Sequence, residues 1–188
     1  MGAEVIPKLT YEQFRQLPDD GKRYELIQGE VHVTPAPATR HQATVQNLSG
    51  NLWPFVMKNG LGEVWTAPLD VRLSPDTAVQ PDIVYISNAR SEIIREDFIA
   101  GSPDLGVEIL SPSTAAHDRA TKLRMYAEAG VPEVWYIDPL AKTVEVFTLK
   151  GKKYLLDRTL AGDDVLTSSL FPGWQLALKD LFDFRGRF

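Results

Sequence analysis

Apolar residues along the chain change their period several times, and each change marks an element. Thr10 and Gln13 have the spacing of a capping box, and Leu9 and Phe14 sit where a hydrophobic staple places them. They predict a first helix stopping near Leu17, before Pro18-Asp19-Asp20-Gly21. RYELIQGEVHV follows, two short apolar runs about Gln28-Gly29, which reads as a β-hairpin. After Pro35-Ala36-Pro37, Thr39 and Gln42 offer a second capping box. His41, Val45, Leu48, Leu52 and Phe55 then recur at helical steps up to Asn59-Gly60, and Pro54 should kink or shorten that helix.

From Glu63 to Ile86 the pattern is extended, with Leu69, Val71 and Leu73 alternating against Asp70 and Arg72. Ser74-Pro75-Asp76 interrupts it. Two more continuously apolar strands follow, Asp82 to Ile86 and Leu105 to Leu110. Ser113 or Thr114 should cap a third helix whose core stripe is Ala116, Ala120, Leu123 and Ala127, closed by Gly130 and Pro132. Glu133 to Ile137 reads as a strand, Thr143 to Leu156 as a hairpin about Lys150-Gly151, and Leu176 to Leu178 as a short strand in the tail. Helices interleaved with a mixed sheet define an α/β (α+β) domain.

The 188 residues predict one domain spanning 1–188. No apolar run approaches a membrane span, and MGAEVIPKLTYEQF has no secretory pattern, so the expected location is cytoplasmic, with no membrane partner. The absence of cysteine excludes disulfides, thiol catalysis and thiolate-bound zinc. A net charge of −5 argues against a uniformly basic nucleic-acid coat but leaves room for a local basic groove.

The chemical anomaly is Glu108, whose neighbours Leu105, Val107, Ile109 and Leu110 imply a strand covered on both faces. A carboxylate there must be paired, protonated or bound to a cation. Asp82 poses the same problem at the start of another apolar strand. Two carboxylates on adjacent buried strands suit a hard cation such as Mg²⁺; an arginine partner or a loop cap for each is the alternative. Arg119, Lys122 and Tyr126 line the shoulder of the third helix, from which Lys122 can reach the end of the Glu108 strand. A solvated face beside Asp118 is the other reading. The shoulder position also predicts that Lys122 matters little for stability.

QPDIVYI, PDLGVEILSPST and DRATKLRMYAEAGVPEVWYIDP, with RYELIQGEVHVTPAP and FPGWQLALKDLF, resemble the Uma-type family of restriction-endonuclease-like proteins, in the PD-(D/E)xK nuclease superfamily. The resemblance implies a mixed central sheet flanked by helices, with an additional C-terminal β-hairpin or meander. It also implies a Mg²⁺- or Mn²⁺-dependent nuclease acting on DNA, and a homodimer would suit two antiparallel strands. Asp82 and Glu108 would hold the metal, with the Ile109 carbonyl as a further ligand. The superfamily's lysine is usually two residues after the acidic residue, where this chain has Leu110; Lys122 would replace it from the following helix. Arg119 and Tyr126 would contact phosphate or support the site. Glu25 would enter from the N-terminal hairpin, although a two-residue turn sets it opposite His32 and allows a cross-strand ion pair. His41 reads first as a core or capping histidine, and Asp70 as solvent-facing.

Other chemistries find less support. GxSxG, P-loop and GxGxxG motifs are absent, and His32, His41 and His117 lack zinc spacing. A non-catalytic binding protein on the same scaffold, or a metal-independent glycosidase using paired carboxylates, are the competing classes.

Overall fold

Caps and turn residues place the N-terminal elements. The structure, a computed structural model, describes residues 8–18, 20–111 and 117–186. Thr10 caps α1 (Tyr11–Phe14) with both arms of its box made, Gln13 N donating to Thr10 Oγ1 and Thr10 N to Gln13 Oε1. The helix ends at Phe14, short of Leu17, which is exposed. β1 (Arg23–Ile27) and β2 (Glu30–Thr34) pair antiparallel with Ile27 opposite Glu30 and Glu25 opposite His32. Gln28 and Gly29 both take positive φ, 50° and 84°, the geometry of a type I′ turn. Only glycine fits the second position, because a Cβ there would lie 2.5 Å from Lys8 Cβ.

Helix α2 (Thr39–Lys58) departs from its predicted start. Ala38 is the N-cap and makes no side-chain cap, so the box between Thr39 and Gln42 is not formed; Thr39 is already helical. Pro54 lies inside the helix without ending it. Proline there removes one backbone hydrogen bond. Leu48, Leu52 and Val56, all fully buried, offset that loss at roughly 1.5–3 kcal/mol per side chain.

The remaining elements are β3 (Gly62–Thr66), β4 (Val71–Ser74), β5 (Thr77–Val79), β6 (Ile83–Ser87), β7 (Leu105–Ile109), α3 (His117–Ala129) and β8 (Glu133–Asp138). After them come β9 (Thr143–Lys150), β10 (Lys153–Ala161), β11 (Val165–Leu166), β12 (Leu176–Ala177) and α4 (Leu178–Leu181). The central sheet has six strands in the order β10-β9-β8-β7-β6-β3; β7 and β8 pair in parallel, and the other neighbours are antiparallel. Parallel neighbours need a long crossover, which α3 supplies. A second sheet runs β2-β1-β5-β4, and β11 pairs with β12. The C-terminal hairpin turns at Gly151-Lys152, since Lys150 pairs with Lys153, one residue later than expected.

Alternation along the strands divides the core in two. Ile83, Tyr85, Leu105, Val107, Ile109, Trp135 and Ile137 face α2 and the C-terminal elements. Val84, Ile86, Val134 and Tyr136 face the other way, toward Met125 and Tyr126 of α3. Helix α3 is rotated from its predicted phase. Lys122, Met125 and Tyr126 are buried, Ala120 is exposed, and Leu123 is half-buried. Alanine has too little side chain to fix the phase, whereas Met125 and Tyr126 bury large apolar surfaces. Ala116 and the Ser113/Thr114 cap fall outside the described residues.

Candidate active site

Strand register brings the two key carboxylates together. β6 and β7 pair with Ile83 opposite Val107 and Val84 opposite Gly106, so one step further along Asp82 stands across from Glu108. Glu108 is on the α3 face of β7, because Val107 and Ile109 take the other face. Lys122 and Tyr126 of α3 lie over that same face and close around Glu108.

Lys122 is the centre of this cluster. Its Nζ donates to Glu108 Oε2 at 3.0 Å and to Glu25 Oε1 at 3.1 Å, and all three side chains are buried. Tyr126 OH donates to Glu108 Oε1 at 2.5 Å. Burial pushes the Tyr126 phenol well above its ordinary range, and the neighbouring Glu108 charge pushes the same way, so it remains a donor. Burial also pushes the Glu108 carboxyl up, to about 7; Lys122 opposes that shift, while Asp82 and Glu25 add to it. The shoulder reading of Lys122 as a solvated charge is therefore replaced by a buried ammonium between two carboxylates.

Glu25 arrives from β1 and turns to Lys122 rather than to His32, which is exposed on β2. Its Oε1 also accepts from Gln80 N at 2.8 Å. Sequence reasoning passes over Gln80, yet this residue links three groups: its Nε2 donates to Asp70 Oδ1 at 2.9 Å, and its Oε1 accepts from Arg23 Nε at 3.0 Å. The one available signal is its place two residues before Asp82. Asp70 is half-buried rather than solvent-facing, and also accepts from Tyr11 OH at 3.0 Å. At Asp82, Oδ2 accepts from Ile109 N at 2.8 Å and lies 3.1 Å from His41 Nε2. His41 thus belongs to the site. Arg119 does not join the cluster: it pairs with Glu145 at 2.6 Å, and its guanidinium lies over the rings of Tyr136 and Phe147.

Among the described residues, no three His, Asp or Glu side chains are grouped as a metal site. The oxygen donors at hand are the carboxylates of Asp82 and Glu108, which the strand register sets opposite each other. Their chemistry suits a hard divalent cation. Charge balance points the same way, since three buried carboxylates, Asp82, Glu108 and Glu25, accompany one ammonium, Lys122.

The mixed sheet flanked by helices matches a restriction-endonuclease-like fold. The family model described as Uma2, "Putative restriction endonuclease", matches residues 11–179, and the chain belongs to that family. A crystal structure of "a putative nuclease belonging to DUF820" from Anabaena variabilis ATCC 29413 is similar at a TM-score of 0.76 and 24% identity. That likeness covers 93% of this chain and 97% of the other. An uncharacterized protein of Synechocystis, slr1290, is 28% identical over 124 residues, which are 65% of this chain and 64% of that protein's length. No helix among the described residues is long and apolar enough to cross a membrane.

Proposed function

We propose that the chain is a divalent-metal-dependent endonuclease hydrolysing DNA phosphodiester bonds, with residues 1–188 working as one domain. The observation that carries this reading is the surplus of buried carboxylate over ammonium around Glu108, in a chain of this family. Buried anions without compensation are costly, and a divalent cation supplies the missing charge. Asp82 and Glu108 would hold Mg²⁺ or Mn²⁺ together with the Ile109 carbonyl. Such a cation, when bound, polarises the scissile phosphate and lowers the pKa of a water.

The side chains of the cluster divide the remaining tasks. Lys122 presents a fixed ammonium where negative charge develops on the phosphate, a preorganised interaction that requires no rearrangement during reaction. Glu25 holds that ammonium together with Glu108, and Tyr126 fixes the Glu108 carboxylate. Arg119, being already paired, contributes through the packing of α3 against β8 and β9. A homodimer would present two such sites to the two strands of a duplex. DNA as substrate and a chain without cysteine both suit the cytoplasm.

The test is cleavage of supercoiled plasmid by wild type, Asp82→Asn and Glu108→Gln, each with Mg²⁺, with Mn²⁺ and with EDTA. Nicked or linear product should form with the wild type and metal alone. Tight DNA binding without turnover under every condition would instead make this a binding protein on a nuclease scaffold. Turnover that survives EDTA and both substitutions would remove the metal from the reaction.

A further inference from the structure

His41 is a buried polar side chain beside the cluster that the proposed reaction leaves unused. It lies in the first turn of α2, is 8% exposed, and has its Nε2 3.1 Å from Asp82 Oδ2. Its other ring nitrogen, Nδ1, is buried and has no hydrogen-bond partner among the described residues. These two facts choose between the two neutral tautomers. A bare Nε2 would set its lone pair against the carboxylate oxygen and bury an Nδ1–H with nothing to receive it. With the proton on Nε2, the ring donates to Asp82, and the orphan atom is an acceptor, the less costly group to leave without a partner.

Asp82 Oδ2 therefore receives two donors, the Ile109 amide at 2.8 Å and His41 Nε2–H. A carboxylate oxygen has two lone pairs in the plane, so this oxygen is filled. Among the described residues, none donates a hydrogen bond to Asp82 Oδ1. We infer that His41 is a positioning residue: with the Ile109 amide it saturates Asp82 Oδ2, and so fixes Oδ1 as the single oxygen that Asp82 offers to a divalent cation. The inference rests on the metal-site reading given under Proposed function. It adds to that reading which atom binds, and which side chain decides it. Without His41 the carboxylate can turn about its terminal torsion, a broad and soft rotation, and the cation must organise its own ligand.

The experiment is calorimetric titration of Mn²⁺ into the full-length metal-free protein, for wild type, Asp82→Asn, His41→Leu, His41→Gln and His41→Asn. The amide nitrogen of glutamine extends about as far as Nε2, whereas that of asparagine falls short. Loss of a partner that orients a ligand typically weakens metal binding about 10–100-fold. His41→Leu and His41→Asn should show that loss, and His41→Gln should keep affinity near the wild-type value. Melting in EDTA establishes that each variant is folded, and a general packing defect would not separate Gln from Asn. If His41→Leu does not fold, the Gln and Asn pair decides alone. Wild-type affinity in His41→Asn, or equal losses in Gln and Asn, would overturn the inference while Asp82→Asn still abolishes binding. Wild-type affinity in Asp82→Asn would remove the metal site itself, and the inference with it.

Discussion

The two faces of β7 are made by five consecutive residues and do opposite work. Leu105, Val107 and Ile109 enter a core shared with α2, where Trp135 stacks on Trp174 at a centroid separation of 5.9 Å and is fully buried. On the other face, Glu108 meets Lys122 and Tyr126 of α3. The first face gains free energy from every atom it removes from water. The second gives up part of that gain to hold like charges close together, and burial raises the Glu108 carboxyl to about 7 as a result. A rigid apolar face thus serves as the base on which a costly polar face is kept in place.

Substitutions can separate the two faces. Trp135→Ala should have the largest effect, a loss of about 3–5 kcal/mol from the cavity it leaves. A thermal melt should register this as a fall of roughly 6–20 °C, given the usual response of chains this long. Its folded fraction should bind Mn²⁺ as the wild type does. Lys122→Met should follow at about 3–5 kcal/mol in EDTA, because Glu25 and Glu108 lose their shared ammonium. Added Mn²⁺ should restore more stability to it than to Trp135→Ala, whose gain should match that of the wild type. Equal responses of the two variants to metal would erase the distinction between the faces.

Glu108→Gln sharpens it further. In EDTA this variant should be at least as stable as the wild type, since it removes an anion from a site that raises its pKa. With metal at about a hundred times its Kd, the wild type should gain about 2.7 kcal/mol that the variant does not, provided only the wild type binds. The pH dependence has a definite sign. The folded protein holds a proton on Glu108 up to about pH 7, whereas the unfolded chain releases it near the ordinary carboxylate value. Stability from this group is therefore complete below that ordinary value and is lost as pH rises through about 7. Urea titrations of metal-free protein from the ordinary carboxylate range to above neutrality should show the decline in wild type, and Glu108→Gln should flatten it. His32→Ala should do least, within about 0.5 kcal/mol, because His32 is exposed and Glu25 pairs elsewhere. A larger effect would restore the cross-strand ion pair.

Local features are legible in the chain itself. The Gln28-Gly29 turn fixes its own register, so the position of Glu25 opposite His32 follows from neighbouring residues alone. Glu108 is conspicuous because a carboxylate breaks an apolar run. What the chain does not display locally is which partners meet across long distances. The phase of α3 is hidden because its alanines repeat at helical spacing but bury little, while Lys122 looks like any surface lysine. Gln80 is linked to Glu25 through its backbone amide, a contact any residue other than proline could make, so its side chain advertises nothing. His41 continues an apolar stripe, and only the docking of α2 against the start of β6 reveals that it reaches Asp82.

The two bonds of Lys122 also differ in when they become possible. Glu108 lies 14 residues away in sequence, and Glu25 lies 97 residues away. At a synthesis rate of about 5–20 residues per second, Glu25 leaves the ribosome roughly 5–20 s before Lys122. Through that interval the N-terminal hairpin carries a carboxylate whose eventual ammonium has not been made. While Glu25 remains in water this costs nothing, and the Gln80 amide is already available to it. Lys122 is thus the late member of the cluster: the site is complete only once α3, and with it most of the chain, has been made.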